Sequence, residues 1–214
     1  WNTVVWEAVA LSLAAKAGVT VPSGRLEILG DKPVLISRRF DRTRATRIPF
    51  LSAMSMLGAK DNETHSYLEI VDAMRQQGAH PKDDMRELWR RIVFTVLISN
   101  VDDHMRNHGF LCTGSDGWIL SPAFDLNPVP IDVKPRGLST AIDLDDPSAS
   151  LELALSVADY FELARDEACK LASKAALAVS GWRTEATRQG LSQVECDRMA
   201  TAFEHDDLTA ALSL

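Results

Sequence analysis

The sequence predicts an α+β fold that is mostly α. Three observations carry this. Apolar residues recur at helical spacing at the start of the chain, through its middle and over its last third. Short β-rich runs occur in two separate pairs, each joined by turn residues. Strands and helices do not alternate one by one, which excludes a regular βαβ sheet. With 214 residues, 46% of them apolar and 25% charged, the composition is that of an ordinary globular chain. At roughly 150 residues per domain, this length leaves one large domain or two small ones open.

The opening stretch reads as a helix. Asn2 or Thr3 caps it, Val5, Val9, Ser12, Leu13 and Lys16 fall near one another on the wheel, and Gly18 stops it. Two β-rich runs follow, 25–29 and 33–39, and Gly30-Asp31 between them predicts a hairpin. Residues 42–49 are basic and irregular, a solvated connector. From Ser66 the period is helical again, with Tyr67, Ile70, Val71 and Met74 on one face up to Gly78. Pro81 opens a further helix. Its face of Met85, Leu88, Trp89, Ile92, Val93 and Val96 is the most apolar in the chain and marks it as central. Two short β-like runs, 109–113 and 118–120, are joined by Gly114-Ser115-Asp116-Gly117. A Pro-rich loop covers 127–135. Helices are expected over 151–161, 164–180, 182–189 and 192–203, with Asp143, Asp145 and Asp146 capping or preceding a helix that begins near Ser148. Trp89 and Trp118 are expected in the core.

Thirty acidic side chains against 23 basic ones give a net charge of −7. Such a chain is a poor general binder of nucleic acid or of anionic membranes, although a local basic patch stays open. The run of Arg38, Arg39, Arg42, Arg44 and Arg47 reads as a solvated edge. No stretch of about 18 apolar residues exists to span a membrane. Cys112, Cys169 and Cys196 are odd in number and scattered. They fit neither a disulfide framework nor a clustered zinc motif, and point to reduced, mostly buried thiols in the cytoplasm. The chain opens on Trp1 with no Met and no signal-peptide pattern, so a processed protein or a piece of a longer one is expected.

The densest polar cluster follows directly on the apolar helix: Asn100, Asp102, Asp103, His104, Arg106, Asn107 and His108. Buried charge is costly unless it is paired or bound to a cation, so carboxylates at the end of a core helix call for a reason. Asn107 stands five positions after Asp102, and Asp125 stands eighteen after Asn107, beyond the short hairpin. This is the layout of a protein-kinase-like phosphotransfer site. There an Asp accepts the proton of the attacking hydroxyl, an Asn five residues on binds one Mg²⁺, and an Asp after a hairpin binds the Mg²⁺ that bridges the nucleotide phosphates. Magnesium is a hard cation and takes oxygen ligands, which carboxylate and carboxamide groups supply.

The block from Asn100 through Val101-Asp102-Asp103-His104-Met105-Arg106-Asn107 to Leu111, with Ser121-Pro122-Ala123-Phe124-Asp125-Leu126, resembles the C-terminal region of HipA-type serine/threonine kinases, the toxins of bacterial toxin–antitoxin pairs. Two more segments are similar to that family. Ser37-Arg38-Arg39-Phe40-Asp41-Arg42 resembles its R-F-D-R segment, and the helix carrying Glu7 resembles the one whose Glu pairs with an ATP-contacting Lys. The resemblance implies a kinase C-lobe over 43–214 and a remnant of the N-lobe over 1–42. It implies ATP and Mg²⁺ as cofactors, Asp102 as general base, Asn107 and Asp125 as metal ligands, and the Arg38 and Phe40 backbone at the adenine hinge. His104 would brace the catalytic loop, and Asp103 fills a variable position with no assigned step. Implied partners are a protein substrate, an aminoacyl-tRNA synthetase in HipA-type toxins, and a small DNA-binding antitoxin.

Other readings stay open on the residues alone. Asp102 and Asp125 are also common turn residues, Glu7 a common solvated one, and Phe40 a common core aromatic. A zinc site at His104 and His108 with Asp102 and Asp103 lacks a further His or Cys nearby. The D-x-H-x-x-N order is shared with phosphatidylinositol kinases, which leaves a lipid or small-molecule acceptor open. The family's Gly-rich phosphate loop and strand Lys have no counterpart here. Gly18, Gly24 and Gly30 are isolated, and Lys16 and Lys32 lie in the wrong context. A kinase-fold module that acts by binding an antitoxin is therefore the alternative to an enzyme.

Overall fold

The computed structural model describes residues 2–60, 63–144 and 146–214. Helix α1 (Thr3–Ala17) is capped by Asn2, whose side chain accepts from the Val5 amide at 3.4 Å, and closed by Gly18 in the left-handed conformation (φ 90°). Burial runs well beyond the expected stripe. Trp6, Ala10 and Ala14 are buried beside Val5, Val9 and Leu13, because α1 is wedged between a hairpin on one side and the helical body on the other.

That hairpin is β1 (Gly24–Leu29) paired antiparallel with β2 (Lys32–Ser37), Leu29 opposite Lys32. It ends two residues sooner than expected, where the Arg38 amide turns back to donate to the Ser23 carbonyl at 2.8 Å. The connector then delivers two short elements that the sequence did not announce. Strand β3 (Phe50–Ser52) runs into α2 (Ala53–Leu57), with Ser52 as N-cap and Gly58 as C-cap. Strand β3 completes a three-stranded sheet of order β3-β4-β5 with β4 (Gly109–Cys112) and β5 (Trp118–Leu120). Gly109 is required where these pieces meet, since a Cβ there would lie 2.2 Å from the Phe50 ring and 2.8 Å from Ser121 Oγ.

Helices α3 (Tyr67–Gln77) and α4 (Pro81–Leu97) appear where the apolar period placed them. Glu69 reaches back to the Ser66 amide at 2.7 Å, half of a capping box. The α4 face is wholly buried, and Trp89 Nε1 donates to the Ala154 carbonyl at 3.0 Å, so the ring is both packed and satisfied. Trp118 is only half-buried, against the edge of this core.

The last third departs from expectation in three places. The stretch 151–161 is not one helix. It splits into α5 (Leu151–Ser156) and a 3₁₀ turn (Ala158–Phe161) that ends at Glu162 with φ 58°. At the break, Ser156 Oγ donates to the Leu153 carbonyl and competes with the helical ladder. The cap of α5 is Ser150. Asp143 and Asp146 instead form successive turns, accepting from the Asp146 and Ser148 amides, while Asp145 lies outside the described residues. Beyond α6 (Arg165–Ser180), α7 (Trp182–Arg188) and α8 (Gln193–Phe203), an unforeseen short helix α9 (Asp206–Leu212) closes the fold. The buried face of α6 is built from Ala168, Ala172, Ala175 and Ala176, which lets α1, α4 and α9 approach closely. No helix among the described residues is long and apolar enough to cross a membrane.

A buried carboxylate ties α7 to α1. Glu185 is 1% exposed and accepts from Lys16 Nζ at 2.7 Å and from the Arg188 guanidinium. Burial pushes its pKa up, but the hydrogen bonds of Arg188, Lys16, Ser12 and Gln189 outweigh burial and hold it at about 2. A depressed carboxylate pKa contributes stability that is complete above the unfolded value and is lost as pH falls toward about 2. Glu185→Gln is expected to cost about 2 kcal/mol at neutral pH, since it removes charge-assisted hydrogen bonds. The loss shrinks as pH drops below the ordinary carboxylate range. Urea unfolding at neutral and acid pH measures both.

Candidate active site

The α4 helix ends in a strained reversal. Ser99 takes the left-handed conformation (φ 51°), which a non-glycine residue holds only where its surroundings over-determine it. Arg136 supplies that, donating to Ser99 Oγ at 3.1 Å, to the Val96 carbonyl at 2.9 Å and to Asp207 at 2.6 Å. After the reversal, Asn100 Oδ1 accepts from the Asn127 amide at 3.1 Å and joins the loop after α4 to the loop after β5.

The neighbours Asp102 and Asp103 face opposite ways. The Asp103 side chain is 5% exposed and accepts from Tyr67 Oη at 2.6 Å, from His108 Nε2 at 3.1 Å and, weakly, from Thr95 Oγ1 at 3.5 Å. Burial raises its pKa, but His108 and Tyr67 pull it below the ordinary value. The Tyr67 phenol is pushed well above its own by burial and by the Asp103 charge. Asp103 and His108 thus staple the two ends of the loop, and the His104 carbonyl accepts from the Asn107 amide at 2.8 Å inside it. Asp102, by contrast, is 72% exposed, with Lys134 Nζ 3.5 Å from its Oδ1. Lys134 also donates to the Val101 carbonyl at 3.3 Å.

Asp125 arrives from the other side. Ser121 is held on β4 by its amide, which donates to the Gly109 carbonyl, and the Ala123 amide donates to the Thr20 carbonyl just past α1. The chain then turns through Asp125 in the left-handed conformation (φ 59°), and Asn127 Nδ2 donates to its Oδ1 at 2.7 Å. Asp102, Asn107 and Asp125 line one cleft of about 380 Å³, together with Glu7, Asn100 and Asn127. The Glu7 pKa is raised first by burial and then by the charge of Asp125, while the Asp125 backbone pulls the other way. Among the described residues Glu7 has no ion-pair partner, and the cleft is lined by no basic side chain. Carboxylate and carboxamide oxygens are the donors a hard divalent cation takes, although among the described residues no three His, Cys, Asp or Glu side chains are grouped closely enough to hold one by themselves. A second cavity, of about 400 Å³, lies between α1 and the hairpin. Its lining, Leu11, Leu35, Arg25 and Arg188 included, holds no carboxylate.

The sequence profile of the HipA-like C-terminal domain matches residues 1–191. The chain belongs to that family. Its fold is similar to that of Shewanella oneidensis MR-1 HipA, solved with HipB and operator DNA. The TM-score is 0.79 at 18% identity, covering 98% of this chain and 55% of that one. It is also similar to the Helicobacter pylori proinflammatory kinase CtkA (TM-score 0.70, 16% identity, 99% and 80% covered). A Haemophilus influenzae protein provisionally named a kinase is 30% identical over 69 residues, 32% of this chain and 20% of that protein. The chain thus spans about half the length of the HipA that it resembles.

Within this HipA-like domain, four of the seven residues singled out from the sequence meet in the cleft: Glu7, Asp102, Asn107 and Asp125. The other three lie off it. Phe40 sits in a cluster of three rings, 5.8 Å from Phe124 and 6.1 Å from Phe50, and so touches the residue beside Asp125. Arg38 is exposed, its amide already committed to Ser23. His104 is half-buried, its carbonyl accepts from the Asn107 amide, and its charge acts on Asp103, which Tyr67 and His108 also hold. Sequence reasoning missed Asp103, Lys134 and Arg136, because each acts through a partner that is distant in the chain.

Proposed function

We propose that this chain is the catalytic part of a Mg-ATP-dependent serine/threonine protein kinase of the HipA toxin type, at work in the cytoplasm. The observation that supports this best is the convergence of Asp102, Asn107 and Asp125 on one cleft from two separate loops. In this reading Asp102 accepts the proton of the acceptor hydroxyl. Its exposure and freedom from the cleft's carboxamide ties suit a base that must meet an incoming substrate. Asn107 and Asp125 hold magnesium, which when bound neutralises the nucleotide's β- and γ-phosphates. Lys134 offers a positive charge beside Asp102. The backbone at Arg38 and Phe40 borders the adenine, fixed by the stack of Phe40 on Phe124. In this reading residues 1–42 are the remnant of the smaller lobe, and 43–214 the larger one. By analogy with HipA solved with HipB and DNA, the partner is a small DNA-binding antitoxin.

The absence of any basic lining residue among those described favours a second reading, a kinase-fold module that acts by binding its antitoxin. Nucleotide binding separates the two. Titration of a fluorescent ATP analogue is expected to show binding that needs Mg²⁺ and weakens at least about tenfold in Asp125→Asn, which loses a charged metal ligand. Binding that ignores both Mg²⁺ and the substitution overturns the kinase reading.

A further inference from the structure

We propose that the arginine-rich loop between β2 and β3 is a docking site for an acidic segment of the protein substrate. This proposal rests on the kinase reading and names the substrate class of that same cleft. Residues 38–47 carry five arginines against one aspartate, a local charge of +4, in a chain whose total is −7. The rest of the molecule is therefore at −11, and the charge is strongly segregated.

The loop is built rather than slack. The Thr43 amide donates to the Thr46 carbonyl at 2.9 Å and the Ile48 amide to the Asp41 carbonyl at 2.8 Å. Thr43 Oγ1 accepts from the Ala45 and Thr46 amides. This closure makes Arg42 and Arg47 antiparallel bridge partners, so two like charges are held opposite each other, which destabilises the isolated loop. Nothing described on the molecule relieves it. The aspartate of the loop, Asp41, is engaged by both arms of the Arg39 guanidinium and feels Arg42 only more weakly. Arg42, Arg44 and Arg47 are exposed and make no ion pair among the described residues. An external anion is the missing partner.

Position says what kind. Phe40 at one end of the loop stacks on Phe124, the neighbour of Asp125, and Pro49 at the other accepts from the Cys112 amide of β4 at 3.0 Å. The loop is thus fixed beside the cleft, within reach of a substrate chain that presents its hydroxyl there. Duplex DNA carries one charge per ~1.7 Å over its whole length, and beyond this short loop it would meet a molecule whose remaining residues sum to −11. A short stretch of Asp and Glu pairs with the loop and then ends.

The test uses a labelled glutamate-rich peptide centred on one serine, with fluorescence anisotropy read in the absence of nucleotide. The wild-type chain is expected to bind it with an affinity that falls as salt rises. Joint Arg42→Ser, Arg44→Ser and Arg47→Ser is expected to weaken binding about tenfold, the sum of several exposed ion pairs. Joint replacement of the same three by Lys retains it. No wild-type binding, equal binding by the Ser variant, or tighter binding of mixed-sequence duplex DNA each overturns the proposal. Mg²⁺-dependent nucleotide binding, run in parallel, is expected to be the same in all three proteins. Its loss in the wild type marks failure of the kinase reading, whereas peptide failure with nucleotide binding intact marks failure of the docking site alone.

Discussion

Asp103→Ala is expected to lower the unfolding free energy by about 4 kcal/mol, the range found when one member of a buried charged network is removed. The size follows from what remains. Tyr67 Oη and His108 Nε2 both donate to Asp103 in a dry site, and the substitution leaves each without an acceptor. Asp103→Asn keeps an acceptor oxygen and the shape, so its loss is expected to be roughly half as large. Urea unfolding followed by tryptophan fluorescence gives both values, and Trp89 in the core is a suitable reporter. An Ala variant as stable as the parent would show that the staple across the loop carries no weight.

Asp102→Asn is expected to do the reverse. The side chain is 72% exposed and its charged contact is a half-exposed lysine at 3.5 Å, so stability should move by less than about 0.5 kcal/mol. Phosphoryl transfer at saturating Mg-ATP should fall by about a thousandfold, within the span assigned to a positioned general base. The nucleotide dissociation constant should stay near its parent value, because Asn107 and Asp125, the proposed metal ligands, are untouched. A transfer rate unchanged by Asp102→Asn removes it as the base. Two adjacent carboxylates thus separate cleanly, one by its effect on folding and the other by its effect on rate.

What the sequence made legible follows from how local each signal is. Helices α1, α3, α4 and α6 carry long apolar periods, and they stand where the pattern put them. Strand β3 has three residues, too few for any alternation to register. It exists because β4 offers an edge to pair with. The split of 151–161 turns on one serine side chain competing for a carbonyl, which periodicity does not encode. At the site, the spacing of Asp102, Asn107 and Asp125 was readable because each lies near the end of a regular element, Asp102 after α4, Asn107 before β4 and Asp125 after β5. The work of Asp103 was not, since its phenol donor Tyr67 lies 36 positions away. Lys134 was hidden for the same reason, reaching a carbonyl 33 positions back from a Pro-rich loop.

Arg136 has one more consequence. The left-handed Ser99 costs about 1 kcal/mol of backbone strain. The guanidinium that holds it there also grips Asp207 of α9, whose second oxygen accepts from the Leu151 amide at 2.7 Å. The bend that aims Asp102 at the cleft is therefore not written in residues 97–108. A peptide of that stretch would relax to an ordinary turn, and the same residues grafted elsewhere would lose their aim. The course of this loop thus depends on the opposite end of the chain, on a seven-residue helix that does not line the cleft.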